Sequence, residues 1–286
     1  METLKSYYRL TKPGIVYGNL MYAAAGFLLA AGRHIDLPLF IATLAGTSLV
    51  IAGACVYNNV LDRNIDSRMK RTQKRAMVTQ VISIRNALIY ATILSITGFG
   101  LLMFFVNWLV VAIEAAGTIV YVLVYGWAKR STIHSTVIGS VSGSVPPVAG
   151  YAAVSGRLNG GALLLFLILT FWQMPHFYAI ATYRLKDYRE AGLPVLTVKK
   201  GVRAAKYQIV AYITAFIIAA ALLSLYGYTG YVYLVAMVGL GLWWLKLGLE
   251  GFKAKDDNKW GRQVFLFSLI ITLAFSLLLA LNAWLP

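Results

Sequence analysis

The chain is poor in charge and nearly free of cysteine. Of its 286 residues only 13% are Asp, Glu, Lys or Arg, about half the share of a soluble domain. A single cysteine, Cys55, lies inside an apolar run, which excludes a disulfide framework and a thiolate metal site. Acidic residues number 10 against 26 Lys and Arg, a formal net charge of +16. The opening METLKSYYRLTKPG lacks the short apolar core and small-residue cleavage site of a signal peptide, so the first apolar run is expected to remain as a spanning helix. What the chain has in abundance is hydrocarbon. It is 59% hydrophobic, with a mean hydropathy of +0.71, the composition of an integral membrane protein.

Nine apolar segments follow in order. They cover about Ile15 to Ala31, Leu37 to Tyr57, and two halves of Asn86 to Trp127 divided at Asn107–Trp108. A fifth, about Thr136 to Val154, is rich in glycine and contains Pro146–Pro147. A sixth runs from Gly161 to about Tyr183 and carries Pro175. Tyr207 to Glu250 holds two more, divided near Gly227 to Gly230, and about Val264 to Trp284 is the ninth. The expected architecture is an all-α bundle of nine transmembrane helices, one membrane-embedded domain over residues 1–286. Numbering the loops alternately puts 24 of the 26 Lys and Arg on one side, with only Arg33 and Arg157 on the other. Positive residues favour the cytoplasmic side, so the N-terminus is expected inside and the C-terminus in the periplasm. The positive charge is thus mainly a topology signal, and its distribution argues against a nucleic-acid partner.

Two loops on the inner side carry more charge than topology requires. The first, Asn58 to Arg75, reads NNVLDRNIDSRMKRTQKR and directly continues the second apolar segment. Asn58, Asp62 and Asp66 recur every fourth residue, which on a helix puts one amide and two carboxylates on one face. Carboxylates one turn apart repel unless a cation lies between them. Mg²⁺ takes oxygen ligands of this kind, typically one or two carboxylates plus substrate phosphates. Arg68, Lys70, Arg71, Lys74 and Arg75 add cations that attract anionic oxygens. The plainer reading, a topology-setting loop with locally paired acids, does not explain the four-residue register. The second loop, YRLKDYREAGLPVLTVKKG, holds Asp187 and Glu190 among Arg184, Lys186 and Arg189. Two such loops on one side of a bundle could hold a metal-bound diphosphate between them, or the second could be a solvated loop with incidental ion pairs.

The pattern Asn58, Asp62, Arg63, Asp66 resembles the first aspartate motif of the UbiA-type intramembrane prenyltransferases. Within them the chain is most similar to the protoheme IX farnesyltransferase (heme O synthase) family. The likeness is carried by TKPG at Thr11 to Gly14 and by DRNIDSRMKRTQKR. Two further stretches, GSVSGSVPPVAGYAAVSG (Gly139 to Gly156) and FWQMPHFYAIATYRLKDYREAGLPVL (Phe171 to Leu196), add to it. Ala76 stands where that family often has proline. The superfamily's second motif usually offers two aspartates four residues apart, whereas Tyr183 and Ala191 flank Asp187 at that spacing. Asp187 is therefore the one secure acid of the second loop.

The resemblance implies transfer of the farnesyl group of farnesyl diphosphate to a vinyl group of heme B, with addition of water and release of diphosphate. It implies Mg²⁺ held by Asn58, Asp62, Asp66 and Asp187, of which Asp62, Asp66 and Asp187 would be catalytic. Asn58, Arg63, Lys70, Arg71, Arg75 and Lys186 would bind the diphosphate. Heme B is then a substrate, and the implied setting is the cytoplasmic membrane, with the active site facing the cytoplasm. A heme A synthase or a terminal-oxidase assembly is the implied partner.

Of three histidines only His176 lies in an apolar helix, beside Pro175 and near Trp172. Ionisable residues inside a membrane are often functional and imidazole is a common heme ligand, so His176 and Trp172 are the candidate heme contacts. The alternative is a histidine satisfying a carbonyl freed by the proline. Glu114, deep in an apolar run, is expected to be protonated or paired. Gly139, Gly143 and Gly150 are expected as close-packing positions. A transporter would place its charges near the midplane, and these acids cluster at one face instead. A prenyltransferase acting on another acceptor, such as a quinone precursor, is the alternative within the enzyme class.

Overall fold

The computed structural model describes residues 2–286, the side chains of residues 2 and 3 excepted. A short helix, α1 (Glu2–Leu10), precedes the first crossing. Then come α2 (Pro13–Ala31), α3 (Leu37–Asp66) and α4 (Ile84–Phe105). The fourth crossing is composite: α5 (Trp108–Ile119), a π turn over Val120–Val124, and α6 (Tyr125–Ser131). The fifth is broken into α7 (Ser135–Gly143) and α8 (Val145–Ser155). The sixth is α9 (Gly160–Tyr183), followed by the short helices α10 (Leu185–Glu190) and α11 (Leu196–Lys199). α12 (Gly201–Leu225), α13 (Tyr231–Glu250) and α14 (Asp257–Leu281) complete the bundle. Among the described residues nine helical runs are long and apolar enough to cross a membrane, and no strand occurs.

Polar caps decide where the apolar runs divide. Asn107 takes an extended conformation and its side chain accepts from Val110 N at 2.9 Å, so the long run from Asn86 breaks there into two antiparallel helices. Asp36, Ser83, Asn159 and Asp256 cap α3, α4, α9 and α14 in the same way. Each cap satisfies backbone N–H groups that a helix start leaves free.

Close packing uses the glycines. α2 and α8 approach so nearly that a Cβ on Gly26 would overlap the Pro147 carbonyl, and one on Gly150 the Ala23 carbonyl. Small residues bring membrane helices together in this manner. Gly139 lies against the Tyr125 ring and Gly143 against the Gln173 amide. The largest buried side chains, among them Trp244, Tyr233, Phe216 and Phe275, join α9, α12, α13 and α14 in one core. A second core around Phe27, Val50, Leu102 and Val110 ties α2, α3, α4, α5 and α8. Outward faces stay apolar, with Phe104, Ile96, Val235 and Leu225 exposed, as a surface solvated by lipid tails requires. The chain is a multi-pass membrane protein.

Candidate active site

α3 does not stop at the end of its apolar run. It continues more than two turns past Tyr57 and carries Asn58, Asp62 and Asp66 on one face, all three buried. A buried carboxylate is costly without a partner, and each polar group here meets a cation from elsewhere in the chain. Lys129, at the end of α6, bonds Asp62 Oδ2, and Arg130 Nη2 lies 3.3 Å from Asp62 Oδ1. Arg75 Nη1 reaches Asp66 Oδ2 at 2.7 Å. Lys12 Nζ donates to Asn58 Oδ1 at 2.7 Å.

The loop after α3 is folded back to make this possible. Thr72 is buried and its hydroxyl donates to the Asp66 carbonyl at 2.8 Å. Met69 and Met77 are buried as well, so Arg75 returns over the end of the helix it follows. Asn59 ties the same region to the N-terminus through Leu10 O at 2.7 Å. Lys12 is held in the left-handed region, φ 52°, immediately before Pro13. A non-glycine residue there carries strain of about 1–3 kcal/mol, which its bond to Asn58 helps to offset. Desolvation pulls the Lys12 ammonium down to about 8.

The π turn supplies the fourth wall. Turns of this type recur at functional sites, and here it precedes Tyr125, whose ring lies 5.3 Å from Lys129 Nζ. Tyr121 stacks on Tyr125 with centroids 5.9 Å apart. One electron-rich ring face thus lies beside the ammonium that holds Asp62, with a second ring stacked on it.

The other expected site residues fall in three places. Arg63 Nη1 donates to its own helix, at Val60 O, 3.0 Å away. Lys70 and Arg71 are exposed. On α10, burial pushes the Tyr188 phenol up, against the pull of the nearby Arg71 charge. Asp187 pairs with Arg184 at 3.5 Å, and among the described residues no three Asp, Glu, His or Cys side chains gather into one cluster. Lys186 lines a separate cleft with Glu190 and the loop before α14. Lys12, Asn59, Lys129 and Arg130 join the expected residues at the site, and for Lys129 and Arg130 the one sequence signal is a basic pair ending a spanning helix on the acids' side.

His176 stands apart from the acids, between α9 and α14. Its ring stacks on Trp172 at 4.8 Å and meets Phe177 and Phe265, each at 5.1 Å. Its Nδ1 is 2.7 Å from Ser268 Oγ, and that hydroxyl donates its one proton to Phe265 O at 2.5 Å. Nδ1 must therefore be the donor, which leaves the lone pair on Nε2. Trp172 spends its N–H on Ser268 O at 2.9 Å. Glu114 is buried with Thr47 as its polar neighbour, and its Oε1 has no partner among the described residues.

The donor set fits a hard divalent cation. It offers two buried carboxylates one turn apart and an amide oxygen in register, with no soft ligand beside them other than the buried thiol of Cys55, and Mg²⁺ prefers such oxygens. The surrounding cations suit a polyanion. Fold and site together define an intramembrane enzyme with an acid-and-base site at one end of a nine-helix bundle.

The chain belongs to the UbiA prenyltransferase family, whose sequence pattern matches residues 19–284. It is 48% identical over 285 residues to a protein named protoheme IX farnesyltransferase from Pectobacterium carotovorum subsp. carotovorum (strain PC1), covering 99% of this chain and 96% of that one. It is 49% identical over 284 residues to protoheme IX farnesyltransferase 2 of Chromobacterium violaceum, covering 99% and 94%. Among solved structures, a digeranylgeranylglyceryl phosphate synthase superposes with a TM-score of 0.82 at 19% identity, over 99% of both chains. A UbiA homolog from Archaeoglobus fulgidus bound to DMAPP and Mg²⁺ gives 0.73 at 15% identity, over 96% and 99%. The structural likenesses establish the fold.

Proposed function

We propose that this chain is a protoheme IX farnesyltransferase, joining the farnesyl group of farnesyl diphosphate to a vinyl group of heme B to give heme O and diphosphate. The whole chain, 1–286, acts as one membrane-embedded unit. The observation that carries the chemistry is the pair of buried carboxylates, Asp62 and Asp66, each answered by a cation from another element. The acceptor rests on near-full-length identity to proteins of that name.

The reaction needs a leaving group stabilised and an allylic cation sheltered. Mg²⁺, held by Asn58, Asp62 and Asp66 with Asp187 from the facing loop, would neutralise charge on the diphosphate as the carbon–oxygen bond breaks. Lys129, Arg130 and Arg75 pair with the acids before substrate arrives. They then lie beside the diphosphate oxygens, with Arg63, Lys70 and Arg71 at the rim. Tyr121 and Tyr125 present ring faces to the cationic carbon, as aromatic faces do for cations. The vinyl carbon attacks that carbon, and water then captures the new positive charge. The apolar bundle excludes water until that step. His176, with Nε2 free, and Trp172 meet the porphyrin.

The charge asymmetry of the loops supports an N-terminus inside, a C-terminus outside and a site facing the cytoplasm, in the inner membrane of a bacterium. The heme product points to hand-over to a heme A synthase or a terminal-oxidase assembly. The decisive experiment incubates purified protein with heme B, farnesyl diphosphate and Mg²⁺ and resolves the hemes by mass. A heme heavier by one farnesyl group and one hydroxyl group is expected. Prenylation of a quinone precursor with heme B untouched would overturn the reading.

A further inference from the structure

Heme B has two ends to hold, an iron and a pair of carboxylates, and the residues described so far address only the iron. A cleft of about 630 Å³ opens between the end of α9 with α10 on one side and the start of α14 on the other. That volume is in the range of small-molecule sites. Its walls are fastened together by Asn258 Nδ2, which donates to the Tyr183 carbonyl at 2.7 Å.

The charge in this cleft is unbalanced. Lys186, Arg189 and Lys255 line it, and among the described residues none of the three has an ion-pair partner within 4.0 Å. The facing acids are mostly committed. Asp257 pairs with the buried Lys206 at 2.5 Å. Asp256 Oδ1 accepts from Asn258 N and Lys259 N at 2.9 and 3.1 Å, capping α14. Glu190 and the capping Asp256, neither in an ion pair, are left against three free cations, so the cleft keeps a net positive charge.

It also connects directly to His176. The Tyr183 ring, a lining residue, packs on Phe265 with centroids 5.5 Å apart, and Phe265 packs on His176 at 5.1 Å. Seven residues of α9 separate His176 from Tyr183, about 10 Å at 1.5 Å per residue. A porphyrin half-width with a propionate arm and an extended lysine or arginine side chain together cover such a span.

We infer that this cleft is the anchor for the two propionates of the acceptor, with Arg189, Lys255 and Lys186 as their partners. This rests on the reading of the acceptor as heme B. It assigns Lys186 to the acceptor rather than to the farnesyl diphosphate. It also fixes how the macrocycle lies: propionates at the charged end of the α9–α14 seam, iron at His176, and the opposite edge with its vinyl groups directed into the bundle. A dianion could also be a lipid phosphate or the diphosphate, so the test separates the three.

Heme B and its dimethyl ester, whose propionates are uncharged, are titrated by absorbance into full-length protein in neutral, phosphate-free detergent. The wild type is expected to bind the ester about tenfold more weakly than heme B, the worth of a charge-assisted contact near solvent. Arg189→Gln/Lys255→Gln, a change at two exposed side chains, should weaken heme B by a similar factor and leave the ester unaffected. Its affinity for a non-reactive farnesyl diphosphate analogue with Mg²⁺ should match wild type. Equal wild-type binding of heme B and ester would overturn the inference while leaving the acceptor reading intact. So would a double variant that loses analogue affinity yet still discriminates heme B from the ester, or heme B binding that anionic lipid does not compete for but the analogue does. No binding of heme B at all would overturn the acceptor reading, and this inference with it.

Discussion

Lys129 of α6 and Asp62 of α3, 67 residues apart, form a buried hydrogen-bonded ion pair in the wall of the site. Removing one partner of a buried pair costs about 3–5 kcal/mol, chiefly because the other charge is left alone. Lys129→Met should therefore destabilise the protein more than Lys129→Met/Asp62→Asn does. Thermal unfolding of the singles and the double gives the coupling. Additive losses would mean that Lys129 and Asp62 do not depend on each other.

On the proposed reading the acids face substrate rather than the apolar core. Asp62→Asn and Asp66→Asn should each remove most turnover per folded, inserted molecule, at least about 100-fold by comparison with loss of one charge-stabilising group elsewhere. Wild-type rates in either variant under saturating Mg²⁺ would sink the assignment.

Metal removal should act on one substrate alone. With a chelator present, affinity for the farnesyl diphosphate analogue should fall and affinity for heme B should stay. If heme binding falls equally, the two anchors are not separate.

Ser268 fixes the proton on His176 Nδ1 and is a positioning residue in this scheme. Partners of this kind are worth about 10–100-fold in affinity or activity. Ser268→Ala should weaken heme B binding and shift the absorption spectrum of bound heme, and Ser268→Thr should restore both. His176→Ala should show the larger spectral change. A spectrum indifferent to all three variants would leave His176 as a packing residue.

Orientation is checked with reporter fusions. Those after Gly32, after Trp108 and at the C-terminus should read outside, and those after Arg75 and Lys200 inside. A cytoplasmic C-terminus would contradict the loop assignment.

Much of this protein can be read without coordinates, because lipid makes its demands locally. Each span must be about 20 apolar residues long and must end where polar groups can be satisfied. The nine crossings, the division at Asn107, and the single face shared by Asn58, Asp62 and Asp66 therefore follow from composition and spacing alone. The N-terminal helix α1 leaves no mark in the apolar pattern, being short and outside the apolar runs. What answers the acids was not legible. Lys12, Lys129 and Arg130 lie 46 to 68 residues from the side chains they hold, and no periodicity links residues at such separations. Their meeting is decided by helix packing, which sequence spacing does not encode. The same holds for His176. The sequence put an imidazole in an apolar helix, but only the packing of α14 on α9 brought Ser268 to its Nδ1 and so determined which nitrogen is free.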